Sequence, residues 1–250
     1  MPEWFYIRPD VLLFAVAVIL YLHGQTTRLF ANEILFYRSG RGKWIARTAD
    51  QYPEFGRRYL AFVRPWRPDT TIVKATWPRL AGTDVDRGRA LQEAIRAVED
   101  QLRFLRYQSM PLLFTLFVGL PCAHIFYGSA ALLIGIAVAY VQVFLMLGSL
   151  LARRAALGLP WGSIGFTLFE SLICIPYAIN LYRKIADRLV PVDADPTDLA
   201  MTLLDPGACA VLRRDLLQSI EQRMSLTEAG DAKQVRLMKY RARLQEESAA

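Results

Sequence analysis

One ionisable residue lies inside a stretch of this sequence that is otherwise apolar enough for a lipid bilayer. Glu170 is the single charged residue of residues 161–182. A carboxylate near the middle of a bilayer costs at least about 2.5 kcal/mol, so such residues usually have a function. Desolvation raises the pKa of a buried carboxyl, and a group whose charge changes near pH 7 can relay protons. Glu170 is therefore the first candidate for chemistry.

Four further polar side chains share a helical spacing with Glu170. If residues 161–182 form one helix, hydrogen-bonding side chains recur on one face at intervals of four and three residues. This face consists of Ser163, Thr167, Glu170, Cys174 and Tyr177. The pattern predicts a polar stripe that faces protein or water, while the opposite face of the helix contacts lipid.

The sequence leaves three interpretations of Glu170 open. The carboxyl group can be a hydrogen-bonding or arginine-paired residue that holds helices or subunits together. It can lie near the membrane interface, if residues 161–182 enter the bilayer and return without crossing. It can also belong to a pathway for ions or protons, with Ser163, Thr167, Cys174 and Tyr177 as supporting polar groups.

The longest uncharged stretch extends over residues 107–151. About 20 helical residues cross the hydrocarbon layer, so this stretch is long enough for two crossings. It predicts a tight transmembrane hairpin with its turn at Gly128 and Ser129. Residues 11–24 form a shorter apolar run, which we interpret as an N-terminal membrane segment. A cleaved signal peptide is less favoured, because Glu3 and Asp10 precede this run and no small-residue cleavage site follows it.

Small residues recur at every fourth position in two places, a pattern that lets helices approach closely. The first place is in the second half of the hairpin, and the second lies just before and at the start of the third apolar run. These five residues are predicted to pack against other helices: Ala131, Gly135, Ala139, Gly158 and Gly162.

Residues 25–106 form a basic polar region, with 16 lysines and arginines against 9 acidic residues. Next to a membrane, this excess favours contact with anionic lipid head groups, and nucleic acid is the less favoured partner. Residues 70–77 are the one convincing strand-like segment. Near the end of the region, apolar residues spaced by four and three predict an amphipathic helix that binds a partner: Leu91, Ile95, Val98, Leu102 and Leu105.

The remaining residues offer little material for catalysis or metal binding. Three scattered cysteines and two histidines match no zinc or disulfide pattern. Residues 39–44 lack the first glycine and the Ser/Thr of a phosphate loop, and residues 193–198 lack the glycine of a calcium loop. We therefore expect no metal, no cofactor and no enzymatic activity.

Together these patterns predict an all-α polytopic integral membrane protein in four parts. An N-terminal membrane segment (residues 1–24) precedes the basic juxtamembrane region (25–106), the membrane domain (107–182) and a charge-balanced helical tail (183–250). The function we expect is that of a non-enzymatic subunit, which assembles with other membrane proteins or with itself in a bacterial-type cytoplasmic (inner) membrane. The alternative is a homo-oligomeric ion or proton channel that uses Glu170.

Overall fold

The structure is a computed structural model of the 250-residue chain. It describes residues 9–38, 42–78, 85–190, 195–226 and 231–249. The chain divides into two compact units. The helical unit comprises Met1–Thr26, Phe62–Thr70 and Glu99–Arg188, and the sheet unit comprises Thr27–Ala61, Thr71–Val98 and Leu189–Ala250.

Within the described residues the chain forms six strands and ten α-helices, numbered in chain order. The strands are β1 (Thr26–Leu29), β2 (Glu33–Arg38), β3 (Trp44–Thr48), β4 (Glu54–Phe55), β5 (Arg58–Phe62) and β6 (Ile72–Thr76). The helices are α1 (Pro9–Gln25), α2 (Val85–Gln101), α3 (Arg103–Phe114), α4 (Leu120–Arg153), α5 (Trp161–Ile173), α6 (Ile175–Ile179), α7 (Leu181–Leu189), α8 (Pro196–Leu203), α9 (Pro206–Ser225) and α10 (Ala232–Ala249). A π-helical turn, Thr115–Gly119, connects α3 with α4.

Two three-stranded antiparallel sheets lie in the region expected to be a basic juxtamembrane segment. Their strand orders are β1–β5–β4 and β3–β2–β6. The prediction of an all-α fold is therefore wrong. Strand β6 falls within the strand-like segment 70–77 noted in the sequence, but the other five strands were not predicted.

The central strand β2 shows why the sheets were missed. It pairs with β3 on one side and with β6 on the other, and residues 34–37 are all buried. A strand covered on both faces is a continuous apolar run without alternation, so its sequence lacks the two-residue period that identifies a strand.

Within the described residues, one helical segment is long and apolar enough to cross a membrane, Arg103–Arg153. The predicted polytopic arrangement is therefore also wrong. Helix α5 has 13 residues and α1 has 17. At about 1.5 Å per residue, α5 and the described part of α1 extend for about 20 and 25 Å, less than the roughly 30 Å of the hydrocarbon layer.

The third apolar run is broken after Ile173. Cys174 has extended backbone angles (φ −133°, ψ 99°), and α6 begins at the next residue with Pro176 in its first turn. Proline has no amide hydrogen to donate, and its ring collides with the carbonyl group four residues earlier in a helix. One continuous helix over residues 161–182 is therefore unfavourable.

The segment Arg103–Arg153 folds back on itself at Gly128, and we call it the hairpin. Gly128 has a φ of 76°, which glycine adopts without a side-chain penalty. Gln142 Nε2 donates a hydrogen bond to Thr115 Oγ1 at 3.1 Å, and Gln108 Nε2 donates one to Ser149 Oγ at 3.3 Å. From Gln108 to Thr115 the residue number rises along the first arm, while the number of the bonded residue on the second arm falls from Ser149 to Gln142. The two arms are therefore antiparallel.

The core of the sheet unit is built around aromatic residues. The ring of Trp77 stacks on that of Tyr240 at a centroid distance of 6.4 Å, and the guanidinium group of Arg223 lies 4.8 Å from the Trp77 ring. Ser219 of α9 donates a hydrogen bond of 2.7 Å to Asp50. The tail helices α9 and α10 are therefore integral to this unit.

Candidate functional site

Glu170 forms an ion pair within the helical unit. Its Oε2 atom lies 2.6 Å from Nζ of Lys184, which comes from α7, and the two side chains are 28% and 25% exposed. The pair connects α5 to α7 across the break at Cys174. The carboxylate of Glu170 therefore has a cation beside it.

Two more ionisable side chains extend this ion pair. The Nζ atom of Lys184 lies 4.8 Å from the centre of the Tyr177 ring, an arrangement favourable for a cation–π interaction. The hydroxyl group of Tyr177 lies 3.3 Å from Nδ1 of His23, in the last turn of α1. We call Glu170, Lys184, Tyr177 and His23 the Glu170 cluster. It joins α1, α5, α6 and α7.

The predicted polar stripe does not form one helical face, because the helix ends before Cys174. Glu170 and Tyr177 meet at Lys184, although they lie on different helices. Thr167 is buried in α5, and half-buried Cys174 is the extended residue between α5 and α6. The side chain of Ser163 lies outside the described residues.

A second group of polar side chains is fully buried where α1 meets α6 and α7. Gln25 donates from Nε2 to the Tyr21 hydroxyl at 3.2 Å and also to Oδ1 of Asn180. Asn180 in turn donates to the backbone carbonyl of Tyr21 at 3.3 Å. The Tyr21 hydroxyl donates to the carbonyl of Pro65. These bonds fix the end of α1 against Asn180, between α6 and α7, and against the loop that contains Pro65.

Arg183 completes this group, which we call the Arg183 network. Its two terminal nitrogens donate bonds of 2.8 Å to the backbone carbonyls of Gln25 and Val63. Burial lowers the pKa of Arg183 to about 10, so the guanidinium group stays charged at pH 7. Within the described part of the chain it has no ion pair, but the charges of Asp187 and Asp69 act on it from longer distances and oppose the lowering of its pKa.

A carboxylate of the same unit is held by two arginines. Asp69 is buried, and it accepts hydrogen bonds from Nε of Arg67 at 3.0 Å and from Nε of Arg106 at 2.9 Å. Burial raises the pKa of Asp69, but the bonds and charges of the two guanidinium groups outweigh that effect and hold the pKa below its ordinary value. The interaction ties the loop Phe62–Thr70 to the start of the hairpin.

Two glycines of the helical unit leave room for side chains from neighbouring segments. A Cβ atom on Gly24 would collide with the amide nitrogen of Asn180 and would lie 3.1 Å from the Tyr177 ring. A Cβ atom on Gly135 would collide with Leu120 of the opposite hairpin arm. The first predicted small-residue face, which also includes half-buried Ala131 and buried Ala139, is therefore covered by the hairpin itself.

The other predicted packing residues have different surroundings. Gly158 has a φ of 63° in the turn between α4 and α5, and Gly162 has open space where a Cβ would be. The five residues predicted to bind a partner lie on α2, on α3 and at the residue between them, and all are buried within the chain: Leu91, Ile95, Val98, Leu102 and Leu105.

The Arg183 network was not predicted from the sequence. Arg183 and Lys184 are two basic residues at the end of an apolar run, yet the structure buries the first and pairs the second with Glu170. The available signal was the i, i+3 spacing of Asn180 and Arg183 directly after that run, which places both on one face of a helix.

No protein-family model, curated protein or solved structure matches this chain. Among the described residues, no three histidine, cysteine or acidic side chains are grouped so that they could hold a metal ion.

Proposed function

We propose that this protein is a non-enzymatic integral membrane subunit that assembles with other proteins in a complex of a bacterial-type cytoplasmic membrane. The observation that carries the proposal is the apolar surface of the helical unit. Only 22% of the most apolar stretch of the hairpin is buried in the molecule, whereas a core helix of a water-soluble protein is mostly buried. Lipid is the solvent that this surface fits.

The same kind of surface continues on the shorter helices. Large apolar side chains on α1, on the hairpin and on α5 are exposed, and they include Leu12, Leu13, Ile19, Phe114, Phe126, Leu133, Ile134, Phe144, Leu145, Phe166, Phe169 and Ile173. In water, an exposed patch of this extent would promote aggregation. In a membrane, α5 would lie against the hairpin or in the interface, because its 13 residues do not reach across the bilayer.

Two features support a role in assembly rather than catalysis. The ionisable groups of the Glu170 cluster and of the Arg183 network are engaged with one another or with backbone carbonyls, so they hold helices together. In the sheet unit, four apolar side chains of α8, α9 and α10 are about half exposed and available to a partner protein: Met201, Val211, Val235 and Met238.

Extraction from native membranes tests both parts of this proposal. We expect the full chain to stay in the membrane fraction after washing with alkaline carbonate and to dissolve only in detergent. In mild detergent, its complex should have a mass well above the 28.4 kDa of one chain and contain other proteins in a fixed ratio. Release by carbonate would refute the membrane placement, and a pure monomer in detergent would refute assembly.

A homo-oligomeric ion or proton channel is the second candidate function. The observation that favours it is the Glu170 cluster, in which ionisable groups from four helices form a connected series. Reconstituted in liposomes, such a channel would carry a flux that Glu170→Gln abolishes. Flux that is absent, or equal in the variant, would contradict this candidate.

A further inference from the structure

Three arginines at one end of the hairpin rest against aromatic rings. We call this the open end, because it is where the first residues of α3 meet the last residues of α4. The guanidinium carbon of Arg153 lies 4.6 Å from the Phe104 ring of the opposite arm. The guanidinium carbon of Arg154 lies 4.2 Å from the centre of the Trp161 ring, and that of Arg103 lies 5.5 Å from the centre of the Tyr107 ring.

The N–H donors of Arg153, and all but one of those of Arg154, are available to an external anion within the described residues. No carboxylate forms an ion pair with Arg103, Arg153 or Arg154 in the part of the chain that the structure describes. Arg154 donates one bond of 3.2 Å to the Leu159 carbonyl, and Arg103 donates to the Tyr107 hydroxyl. A ring covers the flat face of a guanidinium group and leaves N–H donors at its edge, which suit the bidentate recognition of a phosphate group.

These arginines lie where the apolar surface ends. The sequence between them, residues 107–151, has no charged side chain. The rings of Trp161 and Tyr107 are both 62% exposed, as expected of aromatic residues at the level of lipid head groups. At that level the phosphate groups of phospholipids are the abundant anions.

We infer that the open end of the hairpin is a binding site for the head group of an anionic phospholipid. In this site Arg153 and Arg154 contact the phosphate, Arg103 adds charge, and Trp161 holds the guanidinium group of Arg154 in place. The inference rests on the proposed membrane placement and assigns one lipid class to one end of the hairpin.

Competition between two lipids tests this site. The purified full chain in mild detergent is incubated with equal amounts of phosphatidylglycerol and phosphatidylcholine and repurified, and the bound lipids are extracted and counted. The wild type should retain several times more phosphatidylglycerol than phosphatidylcholine. Because a basic residue at a membrane surface contributes about 1 kcal/mol, loss of both arginines in R153Q/R154Q should bring this ratio close to one.

The tail helix α10 offers a matched control. Arg236 and Lys239 are both exposed, so R236Q/K239Q removes the same charge from another surface, and the lipid ratio should stay at the wild-type value. Trp161→Leu keeps every charge and should lower the ratio about twofold to fivefold through the loss of the cation–π contact. Raising the ionic strength to about 1 M should weaken the wild-type preference.

Several results would overturn the inference. These are equal retention of the two lipids by the wild type, a preference that is insensitive to salt, or an equal loss in R153Q/R154Q and in the control. If R153Q/R154Q does not fold, Trp161→Leu and the salt dependence decide. Carbonate extraction separates the two proposals, because a chain that stays in the membrane but shows no lipid preference refutes only the lipid site.

Discussion

The Arg183 network and the Glu170 cluster solve the same problem in different ways. Each places a charge in the helical unit among apolar helices. Arg183 is almost completely buried and donates from its two terminal nitrogens to two backbone carbonyls, while its buried Nε has no partner among the described residues. Glu170 is about one quarter exposed and pairs with the opposite charge of Lys184. In the Arg183 network the charged group is bonded to uncharged backbone, and in the Glu170 cluster an opposite charge neutralises it.

This difference determines how much each group contributes to stability. When a buried guanidinium group is removed, water does not reach the two carbonyl groups that it bonded. These carbonyls then lose their hydrogen bonds without replacement. A partly exposed ion pair exchanges its partner for water, and the change in free energy is small. The residue that attracts attention in the sequence is therefore not the one expected to hold the unit together.

Arg183→Met should destabilise the helical unit the most. It leaves the carbonyls of Gln25 and Val63 buried without their arginine donor, at about 1–3 kcal/mol each, so we expect a loss of about 2–6 kcal/mol in the free energy of unfolding. This loss is measured by thermal unfolding of the purified chain in detergent, monitored by circular dichroism. Arg188→Met changes an exposed arginine on the same helix and should cost at most about 1 kcal/mol. Equal effects of the two changes would show that burial of Arg183 contributes nothing.

Gly24→Ala tests the contact on which the Arg183 network is built. The added methyl group would collide with the Asn180 amide, which cannot withdraw freely because it is bonded to Gln25 and to the Tyr21 carbonyl. We expect a loss of about 1–3 kcal/mol in the same unfolding measurement. Gly148→Ala adds a methyl group in open space on α4 and should be neutral or stabilising by up to about 1 kcal/mol. A neutral Gly24→Ala would mean that α1 and α6 can separate without loss.

Asp69 gives a prediction intermediate in size that depends on pH. Its pKa is lower in the folded chain than its ordinary value of 3.8, so its contribution to stability is fully present above about pH 4 and disappears as the pH falls through the folded pKa. Both arginine partners are more than 40% exposed, which limits the contribution to about 1 kcal/mol. Unfolding of wild type and Asp69→Asn is compared from about pH 6 to about pH 2. The gap between them should close below about pH 4, and a constant gap would contradict the assignment.

The sequence identified the apolar segments of this protein better than its strands. An uncharged run such as residues 107–151 is recognisable because no water-soluble helix needs one, and Gly128 is a natural place for the chain to reverse. The sheets were missed because their strands are two to six residues long and β2 is buried on both faces. Strand pairing depends on partners far apart in the chain, which no local pattern contains.

For the candidate site, the residue type of Glu170 could be used to select it from the sequence, but its partners in the fold could not be predicted. Glu170 was selected because a carboxylate is rare in such a run, yet its partner Lys184 lies beyond the helix break at Cys174. The stripe from Ser163 to Tyr177 assumed an unbroken helix, and Pro176 gave reason to expect a break. Arg183 could not be assigned to the interior from sequence, because only the fold brings the carbonyls of Gln25 and Val63 to it.

The smallest effect is expected for the ion pair of Glu170 itself. A double-mutant cycle of Glu170→Gln and Lys184→Met isolates the pair from the separate contacts of each side chain. Because both side chains are about one quarter exposed, we expect a coupling energy of about 0.5–1 kcal/mol that decreases as salt is raised from about 0.05 to about 1 M. A coupling above about 2 kcal/mol that does not respond to salt would mean that the pair is shielded from water. In that case the Glu170 cluster would resemble the Arg183 network, and the contrast between the two regions would fail.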